Sequence, residues 1–264
     1  MQLAVSTLII YRKEVTDLSS TINDNMDITN WEIVDEGFHK LNQVNIKKLK
    51  EIASTRKIEY TVHGPFSSVN LAEADKALRN MFMKFMKASL TNAYKLEAKI
   101  WILHSGRFTP LTYSFPEKAW EAHNNSLLKL SKEGKNMGVR IAAENMLGRY
   151  ELFNSPENGR KILEDVKSEN FGLCFDIGHA NLLGGINSFL EVFSDEIIHI
   201  HIHDNDGKED SHLPVGKGSI KWKNFLDWLE KARYKGWVVL ENYDFSDVKQ
   251  GIDFLAGSSM TNNP

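Results

Sequence analysis

Short apolar runs and amphipathic stretches alternate along almost the whole chain. Eight runs have the length and the β-branched or aromatic content of strands, and the intervening stretches repeat their apolar residues with helical spacing. The predicted strands cover residues 3–10, 31–35, 58–63, 99–104, 139–144, 171–176, 197–203 and 237–241. The clearest predicted helices cover residues 45–54, 72–96, 116–136, 156–166, 187–193 and 222–233. Such alternation predicts parallel strands joined by crossover helices.

Eight strand–helix units in 264 residues favour one α/β domain, residues 1–264, with the (β/α)8 TIM-barrel architecture. An open, doubly wound sheet is the alternative, but no GxGxxG motif follows the first strand. The C-terminal segment, residues 257–264, is predicted to be a frayed tail. In the long helix the apolar stripe is predicted to face the core, and it consists of Leu78, Met81, Phe82, Phe85 and Met86.

The seventh strand shows which face of each strand points into the barrel. Its residues alternate strictly, which predicts that Ile198, Ile200 and Ile202 face one way and His199, His201 and His203 the other. The same alternation identifies the inward residue at the C-terminal end of each later strand. Because TIM-barrel active sites lie at that end, these side chains should converge: His63, His104, Glu144, Asp176, His201 and Glu241.

Three further ligand-type residues follow in the loops. His179 comes three residues after Asp176, and Asp210 and His212 form an Asp-Ser-His triplet after the seventh strand. Mixed imidazole and carboxylate ligands suit Zn, Mn, Fe or Co better than Ca, and we expect Zn or Mn. Any one of these residues could instead be a hydrogen-bonded core group, but six strand-end ligands together indicate a divalent-metal site.

Other polar and aromatic residues are candidates for substrate contacts. His203 and Asp204 lie at the rim, where they could orient His201 or touch substrate, and Trp31 and Phe66 could stack on a sugar face near the mouth. Lys217, in a Gly-Lys-Gly turn, could meet a phosphate, since barrels often bind phosphate near their last loops. His199 is interpreted as a core group below His201. Two histidines on helices or turns are interpreted as surface residues: His39 and His123.

Composition and charge narrow the function classes. The chain is 42% hydrophobic and 25% charged with a formal net charge of −3, so nothing favours a nucleic-acid or anionic-membrane partner. The one cysteine, Cys174, does not require an oxidising compartment. The first apolar run precedes its basic residues, Arg12 and Lys13, which is the wrong order for a secretory signal. We therefore expect a cytoplasmic protein without a membrane span.

The ordered motifs are similar to those of the xylose isomerase-like TIM-barrel superfamily. They are VHGPF, ILHSG, AAEN, FDIGHAN, HIHD followed by DSHLPVGKG, and VVLEN, and the resemblance spans residues 3–242. That superfamily contains sugar phosphate isomerases and epimerases, inosose-type dehydratases, and the DNA repair enzyme endonuclease IV. The resemblance implies a TIM-barrel metalloenzyme.

Two site patterns of the superfamily match this chain. The epimerase-like pattern implies one divalent metal on Glu144, Asp176, His201 and Glu241, with both glutamates shuttling a proton while the metal stabilises an enediolate. The histidine matched by His179 contacts substrate there. The endonuclease-like pattern implies three zinc ions on nine ligands, which adds His63, His104, His179, Asp210 and His212. The resemblance therefore leaves one to three ions per chain open.

Features outside the ligands favour the sugar enzymes. After His63 the chain reads GPFSSVNLA, without the Tyr-Leu pair that the endonuclease branch inserts into the minor groove, and the net charge is negative. We therefore expect a metal-dependent isomerase or epimerase acting on a small sugar or sugar phosphate, with Glu144, Glu241 and His179 as catalytic residues. The alternatives are an endonuclease IV-like phosphodiesterase, an inosose-type dehydratase, another lyase, a metal-dependent hydrolase, and a non-enzymatic metal-binding or ligand-sensing barrel. Both monomers and homodimers occur in the superfamily.

Overall fold

Eight strands form a closed parallel barrel in chain order in the computed structural model, which describes residues 2–13, 17–25 and 27–260. This confirms the predicted (β/α)8 barrel. The strands are β1 (Gln2–Ser6), β2 (Asn30–Val34), β3 (Glu59–His63), β4 (Ile100–His104), β5 (Arg140–Glu144), β6 (Phe171–Asp176), β7 (Ile197–Ile202) and β8 (Trp237–Leu240).

Helices surround the barrel and connect consecutive strands. Four short helices flank strand ends: α1 (Leu8–Tyr11), α5 (Pro110–Ser114), α8 (Ile177–Leu182) and α9 (Ile186–Val192). The other helices are α2 (Leu18–Asp24), α3 (Gln43–Arg56), α4 (Lys76–Lys95), α6 (Pro116–Met137), α7 (Pro156–Val166), α10 (Trp222–Lys231) and α11 (Phe245–Met260), and Gly37–His39 form a 3₁₀ turn. No described helix is long and apolar enough to cross a bilayer.

The first apolar run is a strand only in its first half. β1 ends at Ser6 and residues 8–11 form α1, so the prediction of one strand over residues 3–10 is wrong. The Thr7 hydroxyl accepts a hydrogen bond of 2.8 Å from the backbone N–H of Val34, at the point where the chain leaves the sheet. An apolar run alone cannot distinguish a buried strand from a buried helix.

One β-bulge interrupts the pairing of β6 with β7. Leu173 pairs with Ile197 but Cys174 pairs with His199, so Ile198 is an extra residue on β7. Its side chain packs inside the barrel with Ile102 and Cys174, whereas Ile200 belongs to the core between sheet and helices. The prediction that Ile198 shares the face of the later isoleucines is therefore wrong.

The long helix α4 buries a different stripe from the predicted one. Leu78, Met81 and Phe85 are 46%, 46% and 52% exposed, whereas Met83 and Met86 are buried. Both stripes are apolar, so spacing alone did not identify the phase of the helix. Of the predicted stripe, the core retains Met86, and Phe82 is half-buried.

Two histidines interpreted as surface residues are buried. His39 lies with its Nε2 atom 3.0 Å from the backbone oxygen of Lys13. His123, on α6, is completely buried, and its Nδ1 atom lies 2.9 Å from the side-chain oxygen of Asn124. At the other end of the chain α11 reaches Met260, so residues 257–260 of the segment with a predicted frayed end are helical, and the rest lies outside the described residues.

Candidate metal centre and active site at the barrel mouth

The C-terminal ends of the strands bring the inward-facing ligand-type side chains together. Pairing of β4 with β5 sets His104 beside Glu144, and pairing of β6 with β7 sets Asp176 beside His201. The register of the closed barrel therefore determines which side chains are neighbours. All but one of these strand-end residues are buried; the exception, His104, is half-buried.

Glu144 lies at the centre of this group. Its Oε2 atom lies 3.1 Å from Nε2 of His63 and 3.2 Å from Nε2 of His104. Its Oε1 atom lies 3.1 Å from Nδ1 of His201, and Nδ1 of His201 lies 3.6 Å from Oε2 of Glu241. One carboxylate thus bridges two clusters, which are His63–His104–Glu144 and Glu144–Asp176–His201–Glu241.

A third cluster forms where the loop after β7 folds back over the mouth. Asp204 and Leu213 exchange backbone hydrogen bonds of 2.9 and 2.8 Å, which closes the loop. Oδ2 of Asp210 then lies 3.4 Å from Nε2 of His179 and 3.3 Å from Nε2 of His212. His212 adopts a left-handed backbone with φ of 47°, a strained conformation that is concentrated at functional sites.

His203 belongs to this third cluster. Its Nε2 atom lies 3.3 Å from Oδ1 of Asp176 and 3.6 Å from Oδ1 of Asp210, and its ring stacks on His212 with centroids 3.9 Å apart. The prediction placed His203 at the rim, as a group that orients His201 or touches substrate. In the structure His203 lies among the candidate ligands, because the alternation of inward-facing side chains continues for two residues beyond His201.

The residues fit bound cations on two grounds. Several buried ligand atoms form no hydrogen bond within the described chain: Oδ2 of Asp176, both ring nitrogens of His203 and Oδ1 of Asp210. An uncompensated buried polar atom is costly. In addition, donors that share a tetrahedral zinc at about 2.0–2.1 Å are about 3.4 Å apart, and the donor pairs above are separated by 3.1 to 3.6 Å.

Burial and neighbours move the pKa values of these groups apart. Burial alone would raise the pKa of Glu144, but His201 and His104 hold it well below its ordinary value. Burial raises the pKa of Glu241, and the Glu144 charge adds to that rise while His201 opposes it. Although burial opposes the change, Asp176 and Asp210 raise the pKa of His179 to about 10. Perturbed carboxylates and histidines in one cleft are typical of a functional site.

A cavity of about 290 Å³ opens above the clusters. Its walls include Phe66, whose ring lies 5.3 Å from His63 and 5.2 Å from His104 between centroids. Arg12 contributes the one Lys or Arg side chain among the described residues that line it. Its guanidinium lies 3.7 Å above the ring of Tyr243, and no described carboxylate forms an ion pair with it.

Comparison with known proteins agrees with this geometry. The family model of the xylose isomerase-like TIM barrel matches residues 26–257. The chain belongs to that family. This confirms the resemblance inferred from the motifs.

Relatives of this xylose isomerase-like barrel have different names. An uncharacterized protein of Methanocaldococcus jannaschii is 32% identical over 97% of this chain and 88% of its own length. The probable endonuclease 4 of Mycoplasmopsis pulmonis is 30% identical over 67% and 68%, and the fructoselysine 3-epimerase of Escherichia coli O157:H7 is 24% identical over 74% and 72%. The crystal structure of a D-tagatose 3-epimerase-like protein is 31% identical, with a TM-score of 0.91 over 97% of this chain and 96% of that one.

Three predicted substrate contacts of this xylose isomerase-like barrel lie elsewhere. Trp31 is completely buried on the helix-facing side of β2, with its ring against Phe245. Asp204 is buried and accepts hydrogen bonds from three backbone N–H groups and the indole of Trp222, so it holds the loop after β7. Lys217 is exposed and does not line the cavity. These corrections leave Phe66 and His203 at the mouth.

The sequence interpretation missed Glu32 and Asn145. Glu32 is the single acid inside strand β2 and points inward, so the alternation that identified the other ligands would also have identified it. Asn145 follows Glu144 and makes two side-chain hydrogen bonds to the backbone of Asp176, of 2.8 and 2.9 Å. The AAEN motif contained Asn145, but its partner is set by tertiary packing of β5 against β6.

Proposed function

We propose that this protein is a divalent-metal-dependent isomerase or epimerase that moves a proton between neighbouring carbons of a small sugar or sugar phosphate. The observation that carries the proposal is a pair of buried glutamates that face one small cavity, Glu144 at the end of β5 and Glu241 directly after β8. The names of similar proteins support it, since they include epimerases.

The residues that would hold the cation are Glu144, Asp176, His201 and Glu241, whose donor atoms lie together. A divalent cation bound there, Zn or Mn on the ligand chemistry, would polarise the oxygens of the reacting carbons and make the carbon-bound hydrogen more acidic. The chain itself supplies the proton acceptor and donor. Apolar side chains, among them Leu8 and Phe66, form part of the cavity wall.

The positions of the two glutamates support the proton transfer. Both carboxyl groups line the same cavity from different strand ends, so either one could accept a proton from a substrate carbon and the other could deliver one. His179 also lines the cavity, with its Nδ1 atom 2.9 Å from the backbone oxygen of Asn145 and its Nε2 atom 3.4 Å from Oδ2 of Asp210, and we assign it a contact with substrate.

Arg12 supports a substrate that carries an anionic group. Its guanidinium is oriented by the Tyr243 ring and has no carboxylate partner among the described residues, while the cavity below it contains carboxylates and histidines. A phosphate or carboxylate at one end of a sugar would fill that position. Arg12 takes the role that the sequence suggested for Lys217.

The second candidate is an endonuclease IV-like metallophosphodiesterase. It is favoured by the clustering of all nine ligand positions of that pattern and by the relative named probable endonuclease 4. In that case the third cluster would hold a further ion between Asp210, His179 and His212. Phe66 at the rim and the small cavity favour a small molecule over duplex DNA.

The test begins with the metal content of the purified chain and continues with turnover. Ketoses, aldoses and their phosphates are incubated in D2O, and deuterium entry at the carbon next to the carbonyl is followed by NMR. Glu241→Gln should reduce exchange about 10²-fold or more, the usual loss on removing an acid–base group. Glu196→Gln, which alters a surface ion pair with Arg160, is the matched control.

The outcomes separate the candidates. Metal binding with deuterium exchange that depends on Glu241 supports the isomerase. Metal binding without exchange on any sugar, combined with cleavage of an abasic-site duplex that weakens with salt, would replace it by the phosphodiesterase. A chain that binds no divalent metal would overturn both.

A further inference from the structure

A completely buried carboxylate, Glu32, lies directly below the candidate ligands. Its Oε2 atom accepts a hydrogen bond from the Thr61 hydroxyl at 3.0 Å and lies 2.8 Å from Nε2 of His199. Its Oε1 atom lies 3.0 Å from Nε2 of His201. Burying a carboxylate costs several kcal/mol unless its partners compensate, so this group needs a reason to be there.

His201 is oriented differently from three other histidines at the mouth. His63, His179 and His212 each direct Nδ1 at a backbone carbonyl oxygen and present Nε2 to the carboxylates. His201 does the reverse, because its Nδ1 atom faces Glu144 at 3.1 Å while Nε2 points down at Glu32. Its support is a side-chain carboxylate instead of a fixed backbone oxygen.

We propose that Glu32 is the positioning residue for His201, which it holds by Nε2 so that Nδ1 is offered to the cation. A neutral imidazole carries one N–H and one free lone pair. A carboxylate at Nε2 keeps the N–H there and leaves the Nδ1 lone pair for the metal, and such partners also make a histidine ligand more basic. This inference rests on the metal site of the proposed function.

Two side chains hold Glu32, and neither forms another side-chain hydrogen bond among the described residues. Thr61 fixes one oxygen from β3, and His199 fixes the same oxygen from β7, two residues before His201. Oε1 of Glu32 and Nε2 of His201 are close but not aligned as a hydrogen bond, and neither atom has another hydrogen-bond partner. A small rotation of the His201 ring would therefore align this contact.

The test measures metal affinity and not turnover. The full chain is stripped of metal with EDTA, and Zn²⁺ is titrated in competition with a chromophoric chelator. Glu32→Gln keeps the side-chain volume, and removal of such a partner typically weakens metal binding about 10- to 100-fold. The matched control is Asp35→Asn. Asp35 is also buried and close to the end of β2, but its carboxylate binds the Leu41 N–H on the helix-facing side.

A second variant covers the case in which Glu32→Gln does not fold. Thr61→Val removes the hydroxyl that orients Oε2 of Glu32, and its zinc affinity should fall between those of wild type and Glu32→Gln. The visible spectrum of bound Co²⁺ should change in Glu32→Gln and remain unchanged in Asp35→Asn. A structural role alone would not move that spectrum.

The results distinguish this inference from the proposed function. If the wild-type chain binds Zn²⁺ and folded Glu32→Gln binds it within twofold, the positioning role is overturned and the metal site stands. If only Thr61→Val folds, unchanged zinc affinity and an unchanged Co²⁺ spectrum overturn it. If the wild-type chain binds no divalent metal, the proposed function fails first.

Discussion

Acid should destabilise this protein through His123, a buried histidine on α6 that is not one of the candidate metal ligands. The ring is completely buried on α6, its Nε2 atom has no hydrogen-bond partner among the described residues, and Nδ1 contacts Asn124. Burial lowers the pKa of His123 from its ordinary 6.5 to about 4. Because the unfolded chain binds the proton more readily, stability from neutral His123 is present above pH 6.5 and is lost as the pH falls towards 4.

The size of the effect follows from the two pKa values. The difference of 2.5 units, 6.5 minus 4, limits the contribution to about 3.4 kcal/mol at 1.36 kcal/mol per unit. At pH 4 the folded group is half protonated, which leaves about 3 kcal/mol lost relative to pH 7. A surface histidine would contribute nothing over this range.

The assay compares the free energy of unfolding of wild type and His123→Asn in urea, between pH 7 and pH 4, with EDTA present. Asparagine places an N–H group where Nδ1 of His123 contacts Asn124, and it does not titrate. Wild type should lose about 3 kcal/mol more than the variant as the pH falls. A difference that stays constant with pH would refute the assignment of the acid sensitivity to His123.

Two further substitutions test residues at the mouth. A Cβ atom at Gly178 would collide with the ring of His203, so Gly178→Ala should displace that ring and lower the free energy of unfolding in urea by about 1–3 kcal/mol. The zinc bound per chain, measured by elemental analysis, should also fall, and an unchanged zinc content would remove His203 from the candidate ligands. Loss of a charge-assisted hydrogen bond costs about 1.5–3 kcal/mol, so Arg12→Gln should raise KM for a phosphorylated substrate about 10- to 100-fold. KM for the unphosphorylated sugar should stay within about twofold, and equal effects on both substrates would exclude an anion contact.

Alternation of side chains made the barrel and most of the site predictable. Strand-end residues such as Glu144 and Glu241 could be identified because the period of two is local information, and the closed barrel then brings distant strands together. Asp210 and His212 could be named but not placed, because the bridge between Asp204 and Leu213 that folds their loop back is tertiary.

The failures have particular physical causes. The phase of α4 was ambiguous because both of its stripes are apolar, and only packing against the barrel selects the buried one. Trp31 and Phe66 are both aromatic, and both belong to segments that lead to the mouth. Side chains alternate along β2, however, and Trp31 faces the helices because its neighbour Glu32 faces the barrel interior. Glu32 obeyed the alternation rule and was missed because it lies in the middle of its strand, one level below the ligands.

The extra residue in β7 adds an apolar side chain to the base of the barrel interior. Ile198, together with Ile102, Ala142 and Cys174, forms an apolar plug under Glu32 and His199, and the absence of a side chain at Gly172 leaves the room it occupies. This layer separates the candidate ligands from the N-terminal ends of the strands by apolar side chains. Deleting Ile198 should keep Asp176 paired with His201 but leave a void in the apolar layer at the base of the barrel.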